Sequence, residues 1–275
     1  MTSATVTQGS VPAKRVPARN LAASKTPASA DMIRLPHSTD ACGDCISRDC
    51  CMGSPLTAEA DGHTLPLIKH NHTLGYREHL FREGDTPEAL YIVKSGSVKL
   101  YLISEDGSEQ VVGFYMPGDV LGLDALGIAT HRTSAVALER ASFCVVPLSS
   151  LERAPWCQRS LYGLLSRELL RDHRTIALIT KKDAETRMAN FLVEMSERFR
   201  ARGYSASSFN LSMKRNEIGS YLGLAVETVS RILTRFQDEG LLSVKRRQVL
   251  ILDYPALQKL ARCQGLPGTA ATAGA

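Results

Sequence analysis

No stretch of this sequence approaches the roughly 18 consecutive apolar residues that a membrane-spanning helix needs. Its opening also lacks the charged, then apolar, then small-residue order of a secretory signal peptide. Acids are missing at the start: Asp31 is the first, after a run dominated by Ala, Ser, Thr, Pro, Lys and Arg. Such a run cannot offset its ordering entropy by burial, so residues 1–40 are expected to form a disordered tail. Cysteine is sparse outside one stretch, with only Cys144, Cys157 and Cys263 beyond residue 51. An odd total of seven, bunched at one end, argues against a secreted disulfide framework and for a reducing cytoplasm.

What is present supports a folded chain of more than one part. With 275 residues, 44% of them hydrophobic, there is material for two modest domains plus tails. The net charge of +5 favours an anionic partner only mildly. Its distribution says more, because residues 196–262 hold twelve Lys or Arg against six acids.

Cys42, Cys45, Cys50 and Cys51 fall within ten residues. The two-residue gap between Cys42 and Cys45 lets one tight loop turn both sulfurs toward one centre, and Cys51 adds a third. A metal or cluster would then need one more ligand from elsewhere. A disordered thiol-bearing segment, a structural zinc knuckle and a redox dithiol fit the same spacing. A dithiol enzyme is disfavoured, because no strand-helix-strand pattern or partner His and Asp set surrounds these residues. After this loop, assigned to 41–60, Leu65 to His72 reads as a short connector.

From Tyr76 to Pro147 the pattern is one of short strands with glycine at the corners. Leu90–Val93 ends at Ser95-Gly96. Val98, Leu100 and Leu102 alternate with Lys99 and Tyr101, which predicts a half-buried strand with those two side chains on the open face. Asp106-Gly107 marks a hairpin turn. Pro117-Gly118 closes another turn, and Ala135–Leu138 and Phe143–Val146 are two further strands. This predicts a small β-barrel or roll over 61–155. Cys144, inside the last strand, reads on its own as a small buried core residue, the commonest fate of a free cysteine.

Residues 158 to about 195 lack proline, and their only glycine is Gly163. They predict a long helix, whose 156–190 part carries a heptad seam of Tyr162, Leu165, Leu169, Asp172, Ile176 and Ile179. A narrow apolar stripe of this kind pairs with a second copy or packs on its own barrel. Asp172 stands out, since two like charges meeting at a seam cost stability unless something compensates.

Within 191–262, Asn216–Leu222 is a short amphipathic helix, Gly223-Leu224-Ala225 a turn and Val226–Phe236 a second helix, with Gly240 as its C-terminal cap. Leu241–Val244 and Gln248–Ile251 flank Lys245-Arg246-Arg247 as a hairpin with a basic tip. This is a winged helix-turn-helix with its positive charge where a phosphate backbone would lie. In its second helix Arg231 can donate two hydrogen bonds to guanine, Glu227 can accept from cytosine or adenine, Ser230 can reach an adjacent base and Val226 can touch a thymine methyl. Lys214, Arg215, Lys245, Arg246 and Arg247 would hold phosphates. The last stretch, 263–275, is expected to be loose.

The order of parts, α+β overall, resembles the CRP/FNR family of bacterial transcription regulators, and within it the oxygen-sensing FNR branch. The matching residues are Cys42-x-x-Cys45-x5-Cys51, Phe114–Asp124, Ala137–Pro147 with Cys144, Lys181–Glu185 and Leu222–Phe236. The resemblance implies a cyclic-nucleotide-binding-like β-roll, a dimerisation helix and a DNA-binding domain. It implies that Cys42, Cys45, Cys51 and Cys144 hold a 4Fe–4S cluster in low oxygen, promoting a homodimer; Cys50 fits the spacing less well, and Cys157 and Cys263 match nothing. It implies TTGAT…ATCAA-like palindromes in double-stranded DNA, RNA polymerase as a partner, activation or repression of promoters, and a cytoplasmic location. Other effectors known in such folds are a cyclic nucleotide, a haem ligand, zinc or thiol oxidation. A nucleotide is disfavoured because Thr133 stands immediately before Ser134-Ala135, where an arginine is expected, and Arg132 is one place off.

Overall fold

A computed structural model describes residues 51–52, 69–152, 157–181 and 183–262. The expected tails, Cys42, Cys45, Cys50 and Cys263 lie outside the described residues. The roll is built from β1 (Lys69–Leu74), β2 (His79–Phe81), β3 (Ala89–Ser95), β4 (Val98–Ile103), β5 (Glu109–Tyr115), β6 (Val120–Leu121), β7 (Ser134–Ala137) and β8 (Ala141–Pro147). They form two four-stranded antiparallel sheets, ordered β1-β8-β3-β6 and β2-β7-β4-β5. The connector expected around Leu65–His72 thus turns into a strand, because β1 pairs along β8 and completes the first sheet. Gly107 takes a positive φ of 81° at the β4–β5 turn, as the Asp-Gly pair predicts.

The pleat of the first sheet sorts its side chains into two cores. Ala141 and Phe143 of β8, with Val93 of β3, face the roll interior beside Leu74, Phe81, Val98 and Tyr115. Cys144 and Val146, with Leu90 and Ile92 opposite them, face outward. Covering that outer face are α1 (Leu148–Glu152) and the start of α2 (Gln158–Ile179), through Leu151, Cys157 and Leu164.

The helix expected over 158–195 is two helices. The second, α3, runs Ala184–Ala201. The break has a local cause. Asp183 sits in the extended region as N-cap and its carboxylate accepts from the Thr186 backbone at 2.8 Å, starting a new helix. The C-terminal half then adds β9 (Ser208–Asn210), α4 (Arg215–Leu222), α5 (Val226–Asp238), β10 (Leu242–Lys245), β11 (Gln248–Ile251) and α6 (Tyr254–Arg262). Strand β9 joins the wing hairpin as a third strand. Sequence pattern missed β9 and α6.

The two halves share one core. Val111, Phe114, Met116 and Leu138 of the roll pack with Phe191 and Leu192 of α3 and Tyr221 and Leu222 of α4. The rings of Phe114 and Tyr221 lie 5.3 Å apart and those of Phe114 and Phe191 6.3 Å, within the range for favourable aromatic pairs. Lys99 corrects the sequence reading most sharply. It was expected on an open strand face, yet it is only 4% exposed, because α4 covers that face. Its ammonium pairs with Glu109 of the neighbouring strand and with Glu217 of α4 at 3.3 Å. Ser220 of α4 adds a hydroxyl that receives the Val111 amide at 2.8 Å and donates to the Glu109 carbonyl at 2.9 Å.

A second polar joint lies at Asp119, where Arg198 approaches at 2.5 Å and Arg202 at 2.9 Å. Burial alone would push this carboxyl up, but the guanidiniums of Arg198, Arg171 and Arg202 outweigh it and hold it below the ordinary range. A carboxyl depressed in the folded chain stabilises it above the unfolded pKa of about 4, and that contribution drains away as pH falls through the lower folded pKa. Denaturant unfolding repeated between about pH 6 and pH 2 should show the wild type losing stability below about pH 4 more steeply than Asp119→Asn. Parallel slopes would place the acid sensitivity elsewhere.

Candidate nucleic-acid interface and cysteine face

The helix-turn-helix forms because its turn demands small residues. Gly223 ends α4 in the left-handed region at φ 62°. At Gly219 a side chain would meet the Leu224 carbonyl oxygen at 2.6 Å, so the two helices can close only over glycine. Helix α5 then buries Val229, Ile232, Leu233 and Phe236 along one face. Its other face is open: Val226, Glu227 and Arg231 are exposed, and Ser230 is half-buried beneath the Arg215 guanidinium, 3.2 Å from its hydroxyl. All four side chains expected to read bases therefore lie along one helix. Arg235, on the same side, is committed to Glu185 at 2.5 Å and Glu239 at 2.8 Å.

The expected phosphate contacts frame this helix in sequence and exposure. Lys214 and Arg215 stand exposed at the start of α4, and Glu217 caps that helix by accepting from the Lys214 amide at 2.7 Å. Lys245, Arg246 and Arg247 are exposed at the tip of the β10–β11 hairpin, where Arg246 adopts a positive φ of 58° to make the turn. An exposed row of hydrogen-bonding side chains flanked by unneutralised cations suits a polyanion with readable edges.

On the opposite half of the chain, Cys144 does not point into the roll. It lines the outward cluster with Ile92, Val120 and Val146, and Cys51 and Met52 pack against that same cluster. The Met52 amide donates to the Gly118 carbonyl at 2.8 Å, which holds the chain just after Cys51 to the roll. Two of the four expected sulfurs thus belong to one face; Cys42 and Cys45 lie outside the described residues. Among the described residues no group of three or more His, Cys, Asp or Glu side chains gathers for a metal. Cys157, matched to nothing in the sequence, also lines this cluster, where burial pushes its thiol up. No spacing signal could have found it, since the contact is made through the start of α2.

The heptad seam is open along its length. Tyr162, Leu165, Leu169, Asp172, Ile176 and Ile179 are all exposed, while α2 buries only Leu164 and Leu178. Near the Ser134-Ala135 pair, Arg132 is exposed and the Thr133 hydroxyl donates to Asp124 at 2.9 Å.

Residues 73–154 match the cyclic nucleotide-binding domain and residues 186–260 the Crp-like helix-turn-helix domain. The chain is 44% identical over 224 residues to the transcriptional activator protein Anr of Pseudomonas aeruginosa, covering 80% of this chain and 92% of that one. Identity to the fumarate and nitrate reduction regulatory protein of Escherichia coli is 38% over 224 residues, covering 80% and 90%. Among solved structures, FixK2 of Bradyrhizobium japonicum is 32% identical, covers 72% of this chain and 99% of its own, and superposes with a TM-score of 0.66.

The roles differ in what they should cost. Arg231→Ala should weaken binding to a specific duplex by about 1–3 kcal/mol while leaving nonspecific binding nearly unchanged. Arg246→Ala should weaken binding to all sequences alike and lower the slope of log affinity against log salt by about 1. Titrations at several salt concentrations separate them; equal losses on specific and random DNA for Arg231→Ala would remove it from base reading.

Proposed function

This chain belongs to the CRP/FNR family of transcription regulators, and from that premise we propose that it is an oxygen-responsive DNA-binding regulator rather than an enzyme. Cys42, Cys45, Cys51 and Cys144 are read as the ligands of a 4Fe–4S cluster. The observation that carries this reading is the outward orientation of Cys144 on the face where Cys51 packs. Had the thiol shared the side of Phe143, it would lie inside the roll, beyond reach of the loop. Cys45 and Cys42 stand six and nine residues before Cys51, close enough in sequence for one loop to bring them to that face. The donor set fits: four thiolates suit iron–sulfur chemistry. When bound, the cluster would supply an oxygen-labile cross-link between loop and roll.

The chain's own residues carry the rest. A loop held on the outward face bears on Leu164 and Cys157 at the start of α2. Helix α2 presents its open apolar seam to a second copy, where Asp172 meets its counterpart. That repulsion keeps the dimer conditional, so a modest change at the loop can shift the balance between one chain and two. Two chains are needed because paired recognition helices must enter successive major grooves about 34 Å apart. Val226, Glu227, Ser230 and Arg231 then read each half of a TTGAT…ATCAA-like site, and Lys214, Arg215, Lys245, Arg246 and Arg247 set the register. Activation or repression through RNA polymerase, in the cytoplasm, completes the reading.

Protein purified without oxygen should carry about four irons and four sulfides per chain, with visible absorbance that bleaches in air. Cys144→Ser should abolish that iron and the anaerobic gain in DNA binding. Iron-free protein with zinc, or with neither metal, would replace the cluster by a zinc or thiol switch. Leu169→Glu should leave iron content intact while sedimentation shows monomers; a persistent dimer would move the interface off this seam.

A further inference from the structure

One turn of the roll, Phe114 to Asp119, is gripped by three separate elements. Its Phe114 carbonyl accepts from Arg171 of α2 and from Arg198 of α3 at 2.9 Å. Its Pro117 carbonyl accepts from the Arg202 Nε at 2.7 Å, and its Gly118 carbonyl from the Met52 amide at 2.8 Å. The Asp119 carboxylate takes Arg198 and the Met116 amide on Oδ2, at 2.5 and 2.8 Å, and Arg202 on Oδ1 at 2.9 Å. Gly118 adopts φ 93°, so the turn holds a conformation that other residues rarely adopt. Asp119 is 7% exposed, and Arg198 and Arg202 are partly buried beside it.

These contacts join three bodies with different duties. Met52 follows the last cysteine of the cysteine loop, Arg171 lies on the helix that carries the open seam, and Arg198 and Arg202 close the helix that opens the DNA-binding half. We propose that the Phe114–Asp119 turn relays the state of the cysteine loop to α2 and α3, with Asp119 as the positioning residue that makes the relay all-or-none. A carboxylate only 7% exposed that bonds two guanidiniums and a backbone amide cannot lose one partner cheaply, because the charge left behind is largely shielded from water. The turn therefore does not yield by degrees. Displacing Met52 from Gly118 acts on the residue next to Asp119, and any rotation of that peptide carries the carboxylate away from both arginines together. Coupling of this form needs a contiguous set of contacts with two arrangements, and a single short turn provides the contact set.

The relay rests on the oxygen-responsive reading for its biological sense, but not for its test. Met52→Pro deletes the amide proton that Gly118 accepts and leaves the Asp119 node intact. Hydrogen exchange on the full chain without metal should then speed up in peptides covering 114–119 and 184–202, relative to wild type. Changes confined to the loop around 51–52 would overturn the relay, whatever the cofactor proves to be. In a second arm, Asp119→Asn should keep its iron content yet lose most of the difference in DNA affinity between anaerobic and air-exposed protein. That difference should fall from at least about tenfold to within about threefold. A wild-type difference retained in Asp119→Asn would also overturn it. Wild-type protein without iron would sink the regulatory reading alone, with the exchange comparison still deciding the relay.

Discussion

A carboxylate shared by two guanidiniums, at Asp119, is the interaction that fixes how the two halves sit against each other. Ion pairs removed from water rarely add much net stability, since desolvation cancels most of the attraction. What they add is uniqueness. The aromatic contacts of Phe114 with Phe191 and Tyr221 could tolerate a small slide or rotation of α3 over the roll. The pairing of Arg198 and Arg202 with Asp119 could not. Apolar burial thus holds the halves together, and the polar joint fixes where they sit. Lys99 repeats the arrangement on the other sheet, with Glu217 of α4 as its cross-domain partner.

The open surfaces divide into two kinds. Along α2 the seam exposes Tyr162, Leu169 and Ile176 at more than half of their area, together with the neighbouring Leu170. Apolar exposure on that scale is costly in water and marks a surface that belongs against another. The face of α5 is exposed too, but with a different composition: Glu227 and Arg231 are exposed while every large apolar side chain of the helix except Val226 turns inward. One surface suits burial against a like surface, the other hydrogen bonding to edges that keep their own water.

Much of this was legible in the amino-acid order. The helix-turn-helix, the hairpin turn at Gly107, the turn at Gly118 and the heptad seam follow from local rules, because glycine placement and periodicity are properties of a dozen neighbouring residues. The failures share one cause. Lys99 alternates with apolar neighbours and so reads as solvent-facing, yet its burial is decided by α4, more than a hundred residues later. Strand β1 carries a polar, histidine-rich pattern and exists through its pairing with β8. The break between α2 and α3 depends on the carboxylate of Asp183 finding the Thr186 amide, a capping choice that apolar periodicity does not register. For the cysteine face, the family resemblance puts Cys51 and Cys144 together, but only the alternation along β8 says on which side of the sheet the second thiol packs.

That alternation has a consequence for how the sequence can change. Strand β8 is paired on both flanks, with β1 and β3, so it has no free edge along which to slip. Side chains in the strand can be exchanged one at a time without altering which way their neighbours look. A deletion or insertion of a single residue between Ala141 and Cys144 is another matter. It would swap inside for outside, placing an aromatic ring where the thiol emerges and a sulfur among the rings. This short segment should accept substitution far more readily than any change in its length.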